Sequence, residues 1–368
     1  MVYSFDDGVD FLGFYNLTNE ETEAFTAHYR YNGHLFSVLM SNSPPEGYEQ
    51  AGGIEHLWMD RLLDLSFHHG DVLTQLRRQV EGELEVAREL KDVVFPASER
   101  LVLAPAPAVP ESSQARTNIA QYLFPHRIYL EVATKNEKLE VLPSHHEDLD
   151  QSRILVPRSA ISEVGFELGS LPSFAAHHVS IGSRLVVDPA PMEIFNVSVP
   201  GINEELVAKV APRVGHTWHG IKREIEIYAR LRGSQLDPEV RVPEFKGLIT
   251  HGDGIAGFII AKIPTKYPSL RPILTGQLEG AIPSLSLRKK WAKQIEFTVK
   301  ELHRHGVVWG DAKPDNVAID VDDNAWVLDF GGGGTPGWMD PSTYETKEGD
   351  LNVVARIETE LLCIENAK

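Results

Sequence analysis

The chain contains one cysteine, Cys363, so no disulfide can form within it and a zinc site built on paired thiolates is excluded. Basic residues are also scarce. There are 35 against 53 acidic residues, and the formal net charge of -18 creates a field that repels phosphate backbones. The densest basic run, Arg288-Lys289-Lys290, has no interleaved aromatic residues and is interpreted as the solvated start of a helix. These features disfavour a nucleic acid as a partner.

Long apolar runs are absent too. No segment approaches the roughly 18 consecutive apolar residues that a membrane span requires. The first twenty residues include Asp6, Asp7, Asp10 and Glu20 and contain no apolar stretch of the kind that secretory signals have. We therefore expect an intracellular protein, cytoplasmic or nuclear, without a membrane partner.

What the chain does contain is the composition of a folded protein. Apolar residues make up 42 % and charged residues 24 % of 368, and this length allows two domains of roughly 150 residues or more. Residues 1–170 combine a strand at His34–Met40, an apolar helical stripe from Val72 to Ala87, and a strand pair at Arg127–Val132 and Lys138–Leu142. The predicted fold class is α+β, and no motif assigns a role to this N-terminal region.

The second half of the chain has a clearer order of strand and helix patterns. It is predicted to contain strands over Met192–Val199 and Glu205–Val210, a helix over Trp218–Arg232, strands over Phe245–Thr250 and Ile255–Ile263, a helix from Leu287 to Gly306, and strands at Val307-Val308, Val317–Ile319 and Trp326–Leu328.

Two motifs follow the last predicted helix. The first is Asp311-Ala312-Lys313-Pro314-Asp315-Asn316, and the second, Asp329-Phe330-Gly331, begins thirteen residues after Asn316. In sequence and spacing they resemble the catalytic loop, D-x-K-P-x-N, and the metal-binding loop, D-F-G, of the protein-kinase-like superfamily. The resemblance implies a two-lobed kinase-like domain over 171–368, with an N-lobe at 171–263 and a C-lobe at 264–368.

The resemblance also implies a reaction and its residues. The expected activity is ATP- and Mg²⁺-dependent transfer of the γ-phosphate to a hydroxyl group of a protein or a small molecule. Asp311 is expected to act as the base and Lys313 to neutralise the transferred phosphate. Asn316 and Asp329 are expected to hold magnesium. The acceptor stays unidentified.

A lysine that seats the nucleotide is expected upstream of these loops. Val207-Ala208-Lys209-Val210 is similar to the family's V-A-x-K and nominates Lys209. Its partner on the following helix is expected to be Glu224, with Glu226 as the alternative if the helix is rotated. The same comparison would place Ile260 beside the adenine ring and Ile263 at the connection between the lobes.

The chain departs from the standard kinase pattern in several places. Trp309-Gly310 replaces the usual His-Arg, and Ile181–Pro191 lacks the G-x-G-x-x-G pattern of a phosphate-covering loop. Asp350 resembles the family's buried aspartate that braces the catalytic loop, but it follows Gly331 after only eighteen residues. We therefore expect a shortened C-lobe, as in atypical fungal kinase-like proteins.

These departures leave two other functions open. The first is a kinase-fold pseudoenzyme or binding scaffold, in which the fold recruits a partner without catalysis. The second is a kinase fold turned to another group transfer, such as tRNA-dependent aminoacyl transfer in fungal biosynthesis.

Overall fold

The computed structural model divides the chain into two compact units. The first comprises residues 1–151 with 187–191, and the second comprises 152–186 with 192–368. Residues 152–170, expected above in the N-terminal region, thus belong to the second unit. The residues that the structure describes are 3–4, 9–16, 24–31, 34–48, 53–66, 72–102, 117–125, 127–144, 155–162, 166–185, 193–210, 219–278 and 281–364.

In its described residues, the first unit consists of a six-stranded sheet and three helices. Its elements are β1 (Tyr3–Ser4), β2 (Asp10–Asn16), β3 (Ala24–Tyr31), β4 (His34–Ser41), α1 (Ile54–Ser66), α2 (Val72–Val102), α3 (Ile119–Leu123), β5 (Arg127–Lys135) and β6 (Lys138–Pro143). The strands lie in the sheet in the order in which they occur in the chain. Among the strand pairs that the structure describes here, β4 and β5 are parallel and the others are antiparallel, because the three helices form the crossover between β4 and β5. The strand, the helix and the strand pair predicted for this region are confirmed.

The core of the first unit lies between one sheet face and the helices α1 and α2. Alternate residues of β3 and β4, such as Tyr29 and Phe36, pack against Trp58 of α1 and Leu90 of α2 in one buried cluster. The Tyr29 hydroxyl donates a hydrogen bond of 2.8 Å to the Ala87 carbonyl, which fixes α2 over the centre of the sheet.

The second unit is also a mixture of strands and helices, so the chain as a whole is α+β. Its elements are β7 (Val156–Pro157), β8 (Ser173–Ala175), β9 (Ser180–Arg184), β10 (Glu193–Ser198), β11 (Leu206–Val210), α4 (His219–Arg232), β12 (Phe245–His251), β13 (Gly254–Ala261), β14 (Thr265–Tyr267), α5 (Arg271–Leu274), α6 (Leu285–Arg304), β15 (Val317–Asp320), β16 (Ala325–Val327) and α7 (Lys347–Cys363). A seven-stranded sheet has the order β8-β12-β13-β11-β10-β9, with β7 beside β13, and a three-stranded sheet has the order β14-β15-β16.

Strand β11 occupies the middle of the larger sheet, and all five of its residues are buried. Gly257 on the neighbouring strand β13 allows β13 to lie close to β11. A β-carbon at Gly257 would lie 2.2 Å from the carbonyl oxygen of Lys209, so a larger residue there would push β13 away from β11. The position of Lys209 is thus fixed by the packing of the sheet.

One predicted strand is wrong. Val307 and Val308 join no sheet, because the backbone groups that a strand would pair are bonded elsewhere. The Val307 amide donates to the Leu302 carbonyl at 2.9 Å. The Val308 carbonyl accepts a hydrogen bond of 3.0 Å from Arg223, and the next amide, that of Trp309, donates one of 2.7 Å to Asp350. The other strands and both long helices predicted for this unit are confirmed, with ends shifted by a few residues.

The basic run at the start of α6 is not fully solvated as predicted. Arg288 is only 1 % exposed, and its guanidinium donates to the carbonyls of Pro283 at 2.9 Å, Leu361 at 2.5 Å and Ile364 at 3.1 Å. It therefore binds the carbonyls at the end of α7, which its positive charge suits. Within the described ranges, no helix has the length and apolar character needed to cross a membrane.

Replacing Arg288 with methionine should lower the free energy of unfolding by on the order of 3 kcal/mol, because it leaves buried carbonyl oxygens without their charged donor. Urea unfolding followed by tryptophan fluorescence would measure the change. Lys289→Met, at the exposed neighbouring position, should change the same free energy by less than about 0.5 kcal/mol. Equal unfolding midpoints for the two variants would contradict the role of Arg288.

Candidate active site

Lys209 lies at the centre of a buried cluster of charges. Its Nζ atom is 2.9 and 2.8 Å from the two carboxylate oxygens of Glu224 and 3.2 Å from Oδ1 of Asp329. The Lys209 side chain is 8 % exposed and that of Glu224 is fully buried. Because water has little access to Lys209 and none to Glu224, each charge depends mainly on the other for its stabilisation.

Helix α4 presents Glu224, and not Glu226, to this lysine. Glu224 lies on the face of α4 that packs in the core, and residues two positions apart on a helix point to different sides. Glu226 accepts a hydrogen bond of 2.6 Å from the Ser162 amide and pairs with Lys222 at 3.2 Å. Of the two carboxylates that the sequence left open, the one in contact with Lys209 is Glu224.

The electrostatics of this cluster follow from burial and from the single ammonium. Burial raises the pKa of Glu224 to about 7, although the Lys209 ammonium opposes the shift. Burial alone would lower the pKa of Lys209, but the carboxylates of Asp329 and Glu224 outweigh it and raise that pKa. Burial would likewise raise the pKa of Asp329, but Lys209 and the Gly331 amide outweigh it and lower that pKa.

The loop after α6 brings the other predicted residues together. The Lys313 ammonium donates to Oδ2 of Asp311 at 2.5 Å and to the Thr335 hydroxyl at 2.9 Å. The Thr335 hydroxyl in turn donates to Oδ1 of Asp311 at 2.8 Å. Asn316 donates its amide hydrogens to the carbonyl of Asp311 at 2.9 Å and to Oδ2 at 3.2 Å. Asp311, Lys313 and Asn316 thus form one polar network.

Helix α7 holds this loop through a buried carboxylate. Asp350 is fully buried and accepts hydrogen bonds from the amides of Trp309 at 2.7 Å and Gly310 at 2.9 Å. His303 of α6 contacts the same carboxylate through Nε2 at 2.8 Å. The bracing contact that the resemblance predicted for Asp350 is present, and it fixes the backbone directly before Asp311.

The loop after β16 presents Asp329 in a conformation that few residues adopt. Its φ of 61° lies in the left-handed region, which Asp and Asn tolerate better than most side chains. The Gly331 amide donates to Asp329 Oδ1 at 3.1 Å. The next residue, Phe330, is fully buried and packs edge-on against Tyr228 of α4, with ring centroids 5.4 Å apart. The aromatic contact anchors the loop on the helix that carries Glu224.

The predicted nucleotide contacts lie further along the sheet. Ile260 is opposite Val207 on β11, two residues from the pair that Lys209 forms with Phe258. Directly paired residues share a sheet face, so Ile260 lies on the same face as Lys209, roughly 7 Å along the strand. Ile263 follows the end of β13 and is half-buried. Of the predicted phosphate-covering segment, residues 186–191 lie outside the described residues.

The contacts of three residues of the site were not predicted from the sequence. Thr335 contacts Asp311, Trp309 donates from its indole nitrogen to the carbonyls of Leu328 at 2.8 Å and of Asp329 at 3.1 Å, and Arg223 contacts both loops. Their sequence signals are weak, because each acts through a partner distant in the chain. The run Gly331 to Gly334 before Thr335 was the one local hint of close backbone packing.

Comparison with known proteins leaves the family of the chain unassigned. No protein-family model matches the chain, and no curated protein matches it significantly. Any function must therefore be argued from the geometry of this site and from its motifs.

The ion pair between Asp329 and Lys209 predicts a specific dependence of stability on pH. The pKa of Asp329 is lowered in the folded protein, so its contribution is present above the unfolded carboxyl pKa of about 4 and is lost as the pH falls below it. Asp329→Asn keeps the shape and the backbone preference. The gap in melting temperature between wild type and this variant should be largest near neutral pH and shrink below about pH 4.

The matched control for that measurement is Asp322→Asn, whose side chain is exposed on a turn. Its melting temperature should follow that of the wild type across the same range. A gap for Asp329→Asn that stays constant down to the lowest pH at which the protein is folded would contradict the assigned pairing.

Proposed function

We propose that the second unit is an ATP- and Mg²⁺-dependent phosphotransferase with a two-lobed protein-kinase-like fold. In this proposal, the sheet around β11 with α4 forms the N-lobe, and α6, the small sheet and α7 form the C-lobe. The acceptor is a hydroxyl group of a protein or a small molecule. The N-terminal unit has no role in this proposal.

One observation carries the proposal: Lys209 contacts a carboxylate from each of two distant elements. Glu224 comes from α4, and Asp329 comes from a loop 120 positions after Lys209. Asp311, Lys313 and Asn316 form a second network, and the backbone before them hydrogen-bonds to α7. Phosphoryl transfer needs these residue types, because its transition state spreads negative charge over oxygens that cations must neutralise.

The residues present fit a magnesium ion shared with a nucleotide. Mg²⁺ in proteins prefers oxygen ligands and is often held by one or two carboxylates together with substrate phosphates. Asn316 directs its amide hydrogens to Asp311, which leaves its amide oxygen for a cation, and the hydrogen bonds described for Asp329 end on Oδ1. Among the residues that the structure describes, no group of three or more His, Cys, Asp or Glu side chains could hold a metal by itself.

The charges of the cluster support the same assignment. One ammonium and two carboxylates leave a net charge of about -1 around Lys209 when all three are ionised. Because the Asp329 side chain is 35 % exposed, a cation can reach this excess of negative charge from solvent. Asp329 and Asn316 would hold the ion, and when bound it would neutralise the triphosphate and orient its terminal phosphate.

The chain's own residues then have separate tasks. Lys209, oriented by Glu224, would bind the non-transferred phosphates. Asp311 would orient the acceptor hydroxyl and accept its proton on a carboxylate oxygen, as the acceptor oxygen bonds to the γ-phosphorus and ADP leaves. Lys313, whose ammonium contacts that carboxylate, would stabilise the charge on the transferred group. The Thr335 hydroxyl donates to Asp311, so this carboxylate can accept a hydrogen bond from a hydroxyl group at this position.

Binding of MgATP should be measurable by calorimetry and should raise the melting temperature. At a ligand concentration of 100 times Kd, the free energy of unfolding should rise by about 2.7 kcal/mol. Asp329→Asn should lose the magnesium-dependent part of this increase, and Glu224→Gln should weaken binding because Lys209 loses its charged partner. Glu226→Gln, on the same helix, is the matched control and should bind as the wild type does.

The second measurement is the rate at which ADP is released from MgATP, with water or added hydroxyl compounds as acceptors. This rate should fall roughly 10²- to 10⁴-fold in Asp311→Asn, because the variant still binds MgATP but lacks the base. Binding without any turnover in the wild type would favour the scaffold alternative. Absence of binding under all conditions would end the nucleotide proposal, and products from other donors would favour the alternative group transfer.

A further inference from the structure

Arg223 forms an unusual set of contacts beside the charge cluster. Its Nη1 donates to the carbonyl of Trp309 at 3.1 Å and to that of Phe330 at a shorter distance, and its Nη2 donates to the carbonyl of Val308 at 3.0 Å. Two of these carbonyls directly precede the loop that carries Asp311, and the third directly follows Asp329. A single guanidinium thus joins the two loops of the site.

Two glycines provide the space for this side chain. A β-carbon at Gly310 would lie 2.6 Å from Nη2 of Arg223, and one at Gly332 would collide first with Oε1 of Glu345 and then lie 3.1 Å from Cδ and Nε of Arg223. Both glycines have positive φ, 89° at Gly310 and 76° at Gly332, a conformation that other residues rarely adopt. The loops are therefore shaped around the guanidinium on both sides.

The chemistry of the contact requires an arginine. Guanidinium is planar and has five N–H donors in a fixed fork, so it can hold several carbonyls in different directions at once. A lysine offers one compact charge whose donors share a single nitrogen. In the part of the chain that the structure describes, the hydrogen-bond acceptors of Arg223 are all backbone carbonyls, so its role there is to hold backbone.

We infer that Arg223 is a positioning residue for the proposed phosphotransfer, on which this inference rests. It fastens the turn of α4 that carries Glu224 to the loops that carry Asp311 and Asp329. Because Arg223 and Glu224 are neighbours, a movement of α4 that withdraws Glu224 from Lys209 also releases both loops. The nucleotide-seating pair and the catalytic network are thereby assembled together.

The kinetic test uses MgATP hydrolysis by the full-length protein. Arg223→Ala should lower kcat about 100-fold, because a displacement of catalytic groups by about 1 Å costs that much. KM for ATP should change much less than kcat, since Lys209 and Glu224 still pair directly with each other. Arg223→Lys should recover part of the loss, and methylguanidinium added to Arg223→Ala should raise kcat. The matched control is Arg230→Ala, which removes a single exposed contact of 3.4 Å from the same helix and should leave kcat within about twofold.

A second test measures the coupling between Arg223 and Gly310. In the wild type, Gly310→Ala should displace the guanidinium and lower kcat by a similar factor. In the Arg223→Ala background, the same substitution should add much less, because the colliding group is gone. The strain of alanine at a positive φ occurs in both backgrounds and cancels in the comparison. If Arg223→Ala fails to fold, the effect of Gly310→Ala is measured in the Arg223→Lys background instead and compared with its effect in the wild type.

The outcomes separate this inference from the proposed function. An unchanged kcat in Arg223→Ala, alongside an inactive Asp311→Asn, would overturn the positioning role and leave the phosphotransferase standing. Equal effects of Gly310→Ala in both backgrounds, or a loss of stability with no loss of kcat, would also overturn it. If the wild type transfers the γ-phosphate neither to water nor to any added acceptor, both the positioning role and the phosphotransferase proposal are overturned.

Discussion

The burial of the Lys209 ammonium is the constraint on which the second unit depends. A lysine inside a sheet is costly unless carboxylates meet it, and here they come from α4 and from the loop after β16. The sheet, the helix and the loop must therefore be positioned to within a hydrogen-bond length of one another. Displacement of any of them would leave a charge without compensation, so the same requirement that holds the core together also sets the geometry of the site.

A second constraint concerns backbone outside regular structure. The segment before Asp311 has no strand partner, so helices supply its hydrogen bonds through side chains. Asp350 of α7 accepts from two of its amides, and Arg223 of α4 donates to two of its carbonyls. An irregular segment held in this way from two helices can present Asp311 in a defined position, which a mobile surface loop could not do.

Some of these features could be predicted from the sequence, and others required the structure. The resemblance to kinase-like motifs nominated Lys209 and Asp329, and the structure brings their side chains within 3.2 Å of each other. The choice between Glu224 and Glu226 required the rotation of α4, which depends on packing. Arg223 could not be predicted, since its partners are carbonyls, which every residue has. Strand β3 was missed because residues on both of its faces, such as Phe25 and His28, are buried, which weakens the alternation of polar and apolar residues.

The energetics of the charge cluster also bear on why a protein would keep it. Buried ion pairs can often be replaced by apolar side chains of similar volume without loss of stability, so folding alone does not require this arrangement. Here two carboxylates surround one ammonium, and burial raises the pKa of Glu224 to about 7 because the Lys209 ammonium offsets only part of the cost of removing this carboxylate from water. A cation bound at Asp329 would remove that imbalance. Perturbed titrating groups of this kind concentrate at functional sites, which is the physical reason to test this cluster for a bound ligand before any other part of the core.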